Sequence, residues 1–197
     1  MGLGSVYRIY PKYMMRWSEL FENSTGLVTL WHGGRNLESD YLEFPAHRKG
    51  AWEHGPGLYL TASRDVASAY AKGGNAMYRV TVDLQRNIDD VFIEEADVKD
   101  FIQKFIAARQ RKEFWELCER SRTRRSLDKL PAEVLINLSL NMNAMANTKT
   151  GAFRQWLVAH GVGYISVPNY GGWGVEKGQV YVIVDPKLIK KVERERG

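Results

Sequence analysis

Three stretches of the chain bring together residue types that can bind or act on a small molecule. Leu30-Trp-His-Gly-Gly-Arg35 places a histidine and two glycines at the exit of an apolar run. A glycine pair there is ordinarily a turn. A glycine beside a histidine also lets a ligand amide approach the backbone N–H and C=O with no Cβ in the way. The second stretch, Gly55 to Tyr70, holds Tyr59 and Tyr70 eleven residues apart. Such rings commonly fill a core; converging from a strand and a helix, they can instead sandwich a flat heteroaromatic cation. The third, Glu176-Lys-Gly-Gln-Val-Tyr-Val-Ile-Val-Asp-Pro186, reads as a terminal strand preceded by polar residues.

The elements that must position these residues follow from periodicity. Leu27–Trp31 predicts a buried strand ending at His32-Gly-Gly34, and a polar stretch runs from Arg35 to Pro56. Gly57–Leu60 predicts a short strand, then Ser63 an N-cap for a helix over Arg64–Ala71 that Gly73-Gly74 closes. From Ala76 to Leu84, Tyr78, Val80, Val82 and Leu84 alternate with polar residues, the mark of a half-buried strand. Helical spacing predicts one helix from Glu94 to about Leu117 and further helices over Pro11–Asn23, Pro131–Asn141 and Gly151–His160. Two strands, Gly163–Val167 and Gln179–Val184, end the pattern, and Asp185-Pro186 leads into a last turn of helix. The expected class is α+β, with two clusters of short strands separated by a helical block.

Composition bounds the rest. The 197 residues suit one domain, and a 44% hydrophobic fraction with six Trp, ten Tyr and seven Phe excludes disorder throughout. The single cysteine, Cys118, excludes an internal disulfide framework and a zinc cage of several thiolates, and no metal site is expected. No apolar run reaches the ~18 residues of a membrane span, and Met1–Tyr10 has no secretory core, so a soluble cytoplasmic protein with no membrane partner is expected. The formal charge is +5, and Lys99 to Arg125, with nine cations against four carboxylates, accounts for all of it. That segment is either a solvated helix face with a polar loop or a patch that steers an acidic partner, nucleic acid or protein.

In their order and spacing the three stretches resemble the poly(ADP-ribose) polymerase-like, or diphtheria-toxin-type, ADP-ribosyltransferases. Leu-Trp-His-Gly-Gly-Arg looks like the strand where His-Gly begins their NAD site. Gly-Pro-Gly-Leu-Tyr-Leu followed by Ala-Ser-Ala-Tyr resembles their tyrosine strand and tyrosine-bearing helix, with the same gap. Gln-Val-Tyr-Val-Ile-Val-Asp-Pro is similar to their last core strand. The resemblance covers about residues 27–84 and 162–192 and leaves the N-terminus and the helical block near 95–150 unmatched.

The resemblance implies a single ADP-ribosyltransferase-like domain over 1–197, a split β-sandwich of two small sheets with a helical insertion at about 95–150. It implies that NAD+ is the substrate. His32 would bond the adenosine ribose, Gly33 would clamp the nicotinamide carboxamide through its backbone, Tyr59 and Tyr70 would pack on the nicotinamide ring, and Arg35 lies in the same motif. The family's serine three before the second tyrosine falls on Ala67, with Ser68 beside it. The catalytic Glu that opens the last strand falls on Gln179 or Val180, depending on a one-residue alignment choice. Gln179 is the positional match and Glu176, three residues upstream, the chemical candidate; Glu176 is otherwise a solvated loop carboxylate.

The implied activity is mono-ADP-ribosyl transfer to a macromolecular acceptor, protein first and nucleic acid through Lys99–Arg125 second, in the cytoplasm or in a host cytoplasm for a phage or bacterial effector. NAD hydrolysis, and a non-catalytic binder on the same fold, are the alternatives.

Overall fold

Tyr78, Val80 and Val82 point into the protein and are fully buried, while Arg79 between them is exposed, so the alternation read from the sequence is that of a real strand. A computed structural model describes residues 26–34, 37, 54–71, 76–122, 129–144, 150–170 and 178–195. The expected helix over Pro11–Asn23, the residues Arg35 and Glu176, and Arg124 and Arg125 lie outside the described residues.

The class is α+β, as expected. Strands β1 (Leu27–Gly34) and β2 (Leu58–Thr61) come first, then helix α1 (Arg64–Tyr70) and β3 (Ala76–Asp83). A short β4 (Phe92–Glu94) opens a helical block of α2 (Glu95–Phe105) and α3 (Arg111–Ser121). That block continues past β5 (Lys129–Pro131) with α4 (Ala132–Asn141) and α5 (Thr150–Ala159). Strands β6 (Tyr164–Tyr170), β7 (Gly178–Ile183) and β8 (Ile189–Arg194) complete the described chain.

The two expected strand clusters are hydrogen-bonded into one six-stranded antiparallel sheet of order β6-β7-β2-β1-β3-β8, and β4 pairs with β5 in a separate two-stranded sheet. The six-stranded sheet is nearly divided. β1 pairs with β3 all along Leu27–Gly34 but meets β2 at one register pair, Trp31 with Thr61. Two three-stranded leaves result, β8-β3-β1 and β2-β7-β6.

Both leaves feed one core, with Leu30, Tyr78, Val80 and Val82 from the first and Leu58, Leu60 and Ile183 from the second. The opposite face of the second leaf, through Ile165 and Val182, packs on the helices, where Phe101 meets Phe105, Phe114, Phe153 and Trp156 at 5.0–6.1 Å between ring centres.

Four expectations are corrected. First, β1 does not stop before the glycines: Gly33 and Gly34 pair with Met77 and Ala76, so the ladder to β3 carries the extended chain through them. Second, the single helix expected over Glu94–Leu117 is two helices broken at 106–110. There Ala107 N–H bonds the Ala144 carbonyl, Gln110 bonds the Met142 carbonyl, and the Arg111 guanidinium takes the Ile106 and Gln103 carbonyls. The break lets Phe101 and Phe105 on α2 and Phe114 and Cys118 on α3 face one core.

Third, the last turn of helix is found, as a three-residue 3-10 turn at Pro186–Leu188, but it does not end the pattern: a strand, β8, follows it. Ile189 and Val192 sit three apart, a helical spacing, yet both face the core because the register with β3 shifts between Thr81 and Val82. Fourth, β4 and β5 have no counterpart among the expected elements; three residues each are too few to register a period.

Phe101→Ala, at the centre of the aromatic cluster, is expected to lower unfolding free energy by about 3–5 kcal/mol in urea titration. The exposed Lys104→Ala on the same helix should move it by less than about 0.5 kcal/mol.

Candidate functional site

Past the Trp31–Thr61 pair the two leaves part, and a side chain takes over from the ladder. The His32 ring places Nδ1 2.9 Å from the Tyr59 carbonyl oxygen. A carbonyl can only accept, so Nδ1 carries the proton and donates, and in the neutral ring Nε2 is left as an acceptor. Burial holds the imidazole below its ordinary pKa of 6.5, against the smaller opposing pull of the Tyr59 carbonyl. The ring lies over Gly34, where a Cβ would fall 2.6 Å from Nε2. The second glycine of the motif thus leaves the space that the histidine ring occupies.

Tyr59 is fixed at its other end. Its hydroxyl accepts from the His54 N–H at 3.0 Å and donates to the Gly55 carbonyl at 3.0 Å, and its ring packs against the helical core. The His-Gly and Gly-Leu-Tyr motifs, 27 residues apart, therefore meet through the backbone of Tyr59 while its ring is held by the turn that precedes it.

α1 follows from β2 and lies across the parting. Ser63 caps it, its hydroxyl accepting from Val66 N–H at 3.3 Å, as the sequence predicts. Val66 and Ala67 are buried, and the Ala67 carbonyl presses on Gly33 so closely that any Cβ there would overlap it. Gly33 is therefore a backbone-on-backbone contact with the helix. Ala67, where the resemblance puts a serine, is 1% exposed; Ser68 is half-buried, and Tyr70 ends the helix 47% exposed.

The last motif divides between two faces. Tyr59 pairs with Val182 and Thr61 with Val180 along β2 and β7, so Val180 stands on the Tyr59 face next to the parting, buried beside Thr61. Gln179 stands on the opposite face, with Tyr181 and Ser166, where its side-chain amide bonds the Ser166 hydroxyl. The structure brings together His32, Tyr59 and Gly33; it does not bring Gln179 onto the face of the Tyr59 ring. Ser166 and Gly34 were not singled out as site residues. Gly34 was visible as half of a glycine pair, whereas nothing local marks Ser166, whose partner is 13 residues away on the next strand.

In the described part of the basic segment, cations pair with carboxylates of the same helices. Lys99 pairs with Glu95 at 2.5 Å, Lys104 with Asp100 at 2.8 Å, and Arg122 with both Glu95 and Glu119 at 2.9 and 3.1 Å. Lys99 and Arg122 also stand over the Trp115 ring at 5.2 and 5.5 Å. Burial pushes the Cys118 thiol up to about 12, which removes it as a nucleophile. Among the described residues, no group of three or more His, Cys, Asp or Glu is disposed to hold a metal ion, and no helix is long and apolar enough to cross a membrane.

Comparison of the chain with protein-family models, with curated proteins and with solved structures finds no match.

Three outcomes follow from this geometry. Gly33→Ala should unseat α1 and lower the thermal midpoint by about 2–4 °C for each kcal/mol of overlap left unrelieved, read by calorimetry. Tyr59→Phe leaves the ring and removes both hydroxyl bonds, a loss of about 1–3 kcal/mol in chemical denaturation. The third concerns pH. His32 takes up a proton less readily folded than unfolded, so its neutral-state contribution to stability is complete above pH 6.5 and is lost as pH falls from there through the depressed folded value. The stability gap between wild type and His32→Gln should therefore narrow as pH drops from about 7 to about 5; a gap independent of pH would contradict a neutral, half-buried ring.

Proposed function

We propose that the protein binds NAD+ at the parting between β1 and β2 and transfers its ADP-ribose to a macromolecular acceptor, with release of nicotinamide. The observation that carries this reading is the His32–Tyr59 contact. Two motifs whose order and spacing resemble the NAD site of ADP-ribosyltransferases are joined by a direct bond of 2.9 Å, where β1 and β2 part. The division into two leaves over a shared core also supports a split β-sandwich of that type.

In this reading His32 Nε2 accepts a ribose hydroxyl proton, because Nδ1–H is already committed to the Tyr59 carbonyl. The backbone of Gly33 offers its N–H and C=O to the carboxamide, and Tyr70 closes over the nicotinamide ring from the end of α1. The C1′–N bond breaks with its electron pair leaving on neutral nicotinamide. The acceptor's lone pair then forms the new bond at C1′, and the acceptor gives up its proton to solvent.

Charge builds on the ribose during this step and is best met by a carboxylate. Gln179 brings an amide and no charge, so Glu176 is the candidate for that role, and single transfer suits such a site better than chain elongation.

Val180 supports a second reading. It is an apolar residue on the Tyr59 face where a carboxylate would serve, which suits a domain that holds NAD+ without cleaving it.

Incubation with labelled NAD+ and cell extract separates these readings. Transfer releases nicotinamide and leaves a mass-shifted acceptor; hydrolysis releases nicotinamide alone; a binder retains NAD+ intact. His32→Ala should lower nicotinamide release at least tenfold, about 1.4 kcal/mol of lost stabilisation, and undiminished release would overturn the site. Glu176→Ala is expected to cost more than Gln179→Ala in the same assay.

A further inference from the structure

α1 has only seven residues, too short to hold a helix by itself, and it touches both leaves. Ala67 rests on Gly33 of β1 in the first leaf, and Val66 lies within reach of Gly178 of β7 in the second. Its first residue, Arg64, reaches over the Trp31 ring at 5.8 Å and bonds Glu195, Nε donating to Oε1 at 3.1 Å and Nη2 to Oε1 and Oε2 at 3.0 and 3.1 Å. Glu195 is itself fixed, its N–H bonding the Met77 carbonyl at 2.8 Å where the chain leaves β8. A helix that begins at the end of β2 is thereby tied to the far edge of the other leaf, across 131 residues of sequence.

We propose that Arg64 and Glu195 form a strap that sets how far the two leaves part, making them positioning residues for the His32–Tyr59 site. Two guanidinium nitrogens engage the carboxylate, Nε and Nη2 sharing Oε1 and Nη2 also meeting Oε2, so the contact fixes direction as well as distance, which a single-point lysine contact would not. Trp31, beneath the guanidinium, is the very residue that makes the one register pair with β2, so the strap bears on the hinge of the parting. The consequence for ligand rests on the reading of the preceding subsection; the mechanical role does not.

The test uses the whole chain and two readouts. Amide exchange at Ala67 and Ala71, whose N–H groups bond the Ser63 carbonyl and the Ala67 and Ser68 carbonyls, should speed up about three- to fivefold in Arg64→Ala and in Glu195→Ala. The charge swap R64E/E195R should bring it back to within about twofold of wild type. In nicotinamide release, KM for NAD+ should rise by a similar factor in each single variant with kcat changed less than about twofold, and the swap should restore it.

The two side chains are 55% and 27% exposed, so the thermal midpoint should stay within about 2 °C and loss of folding would not account for the change. Unchanged exchange in both single variants, or a swap no better than the singles, overturns the strap. The expected exchange pattern in a chain that releases no nicotinamide supports the strap and overturns only the transferase reading. Release with an unchanged KM in the single variants overturns the strap as a positioning device.

Discussion

A sheet of six strands that is joined at its middle by a single residue pair has to satisfy the backbone on either side of that pair by other means. The structure depends on how it does so. Beyond Trp31 and Thr61 the Tyr59 carbonyl receives the His32 imidazole in place of a neighbouring strand. Leaving this part-buried carbonyl unbonded would cost about 1 kcal/mol or more, so the histidine is a structural partner before it is anything else. Its second nitrogen is the part left over for chemistry. The demands on the neighbours follow: Gly34 must leave room for the ring, Gly33 must accept a helix backbone, and α1 must bridge the leaves that the sheet no longer holds together.

The helical layer serves the same arrangement from the other side. Phe101 and its aromatic neighbours give the second leaf a broad apolar support, which fixes β2 and β7 and therefore the Tyr59 carbonyl. Three of the cations that make the chain basic, Lys99, Lys104 and Arg122, pair within this layer with Glu95, Asp100 and Glu119. Arg109 and Lys112 are exposed on it, but the described part of the segment is a laced helical surface more than an open field of positive charge.

Local periodicity made much of the fold legible. The β3 alternation, the Ser63 cap, α4, α5 and β7 could be read within a residue or two because short-range rules decide them. The features that escaped are those decided at long range. A bulge opposite Thr81 hid the alternation of β8, and the 106–110 break depends on carbonyls of Met142 and Ala144, over thirty residues away. In the site, the His and Tyr motifs were visible by spacing, but the contact partner of His32 is a backbone atom, which no side-chain pattern encodes. The one-residue ambiguity at Gln179 and Val180 is similar: strand parity separates them completely, and parity is known only once Tyr59 is seen to pair with Val182.

The two outer strands of the sheet bear on the company the protein keeps. β8 lines one border with Lys190 and Lys191, both largely exposed, and β6 carries Pro168 where its register with β7 slips. A strand of another chain arriving at the first border would have to strip water from two ammonium groups; at the second it would find a missing N–H and a bent edge. A sheet that is barely closed at its centre is thus guarded at its margins, and copies of the chain are discouraged from joining through them at high concentration.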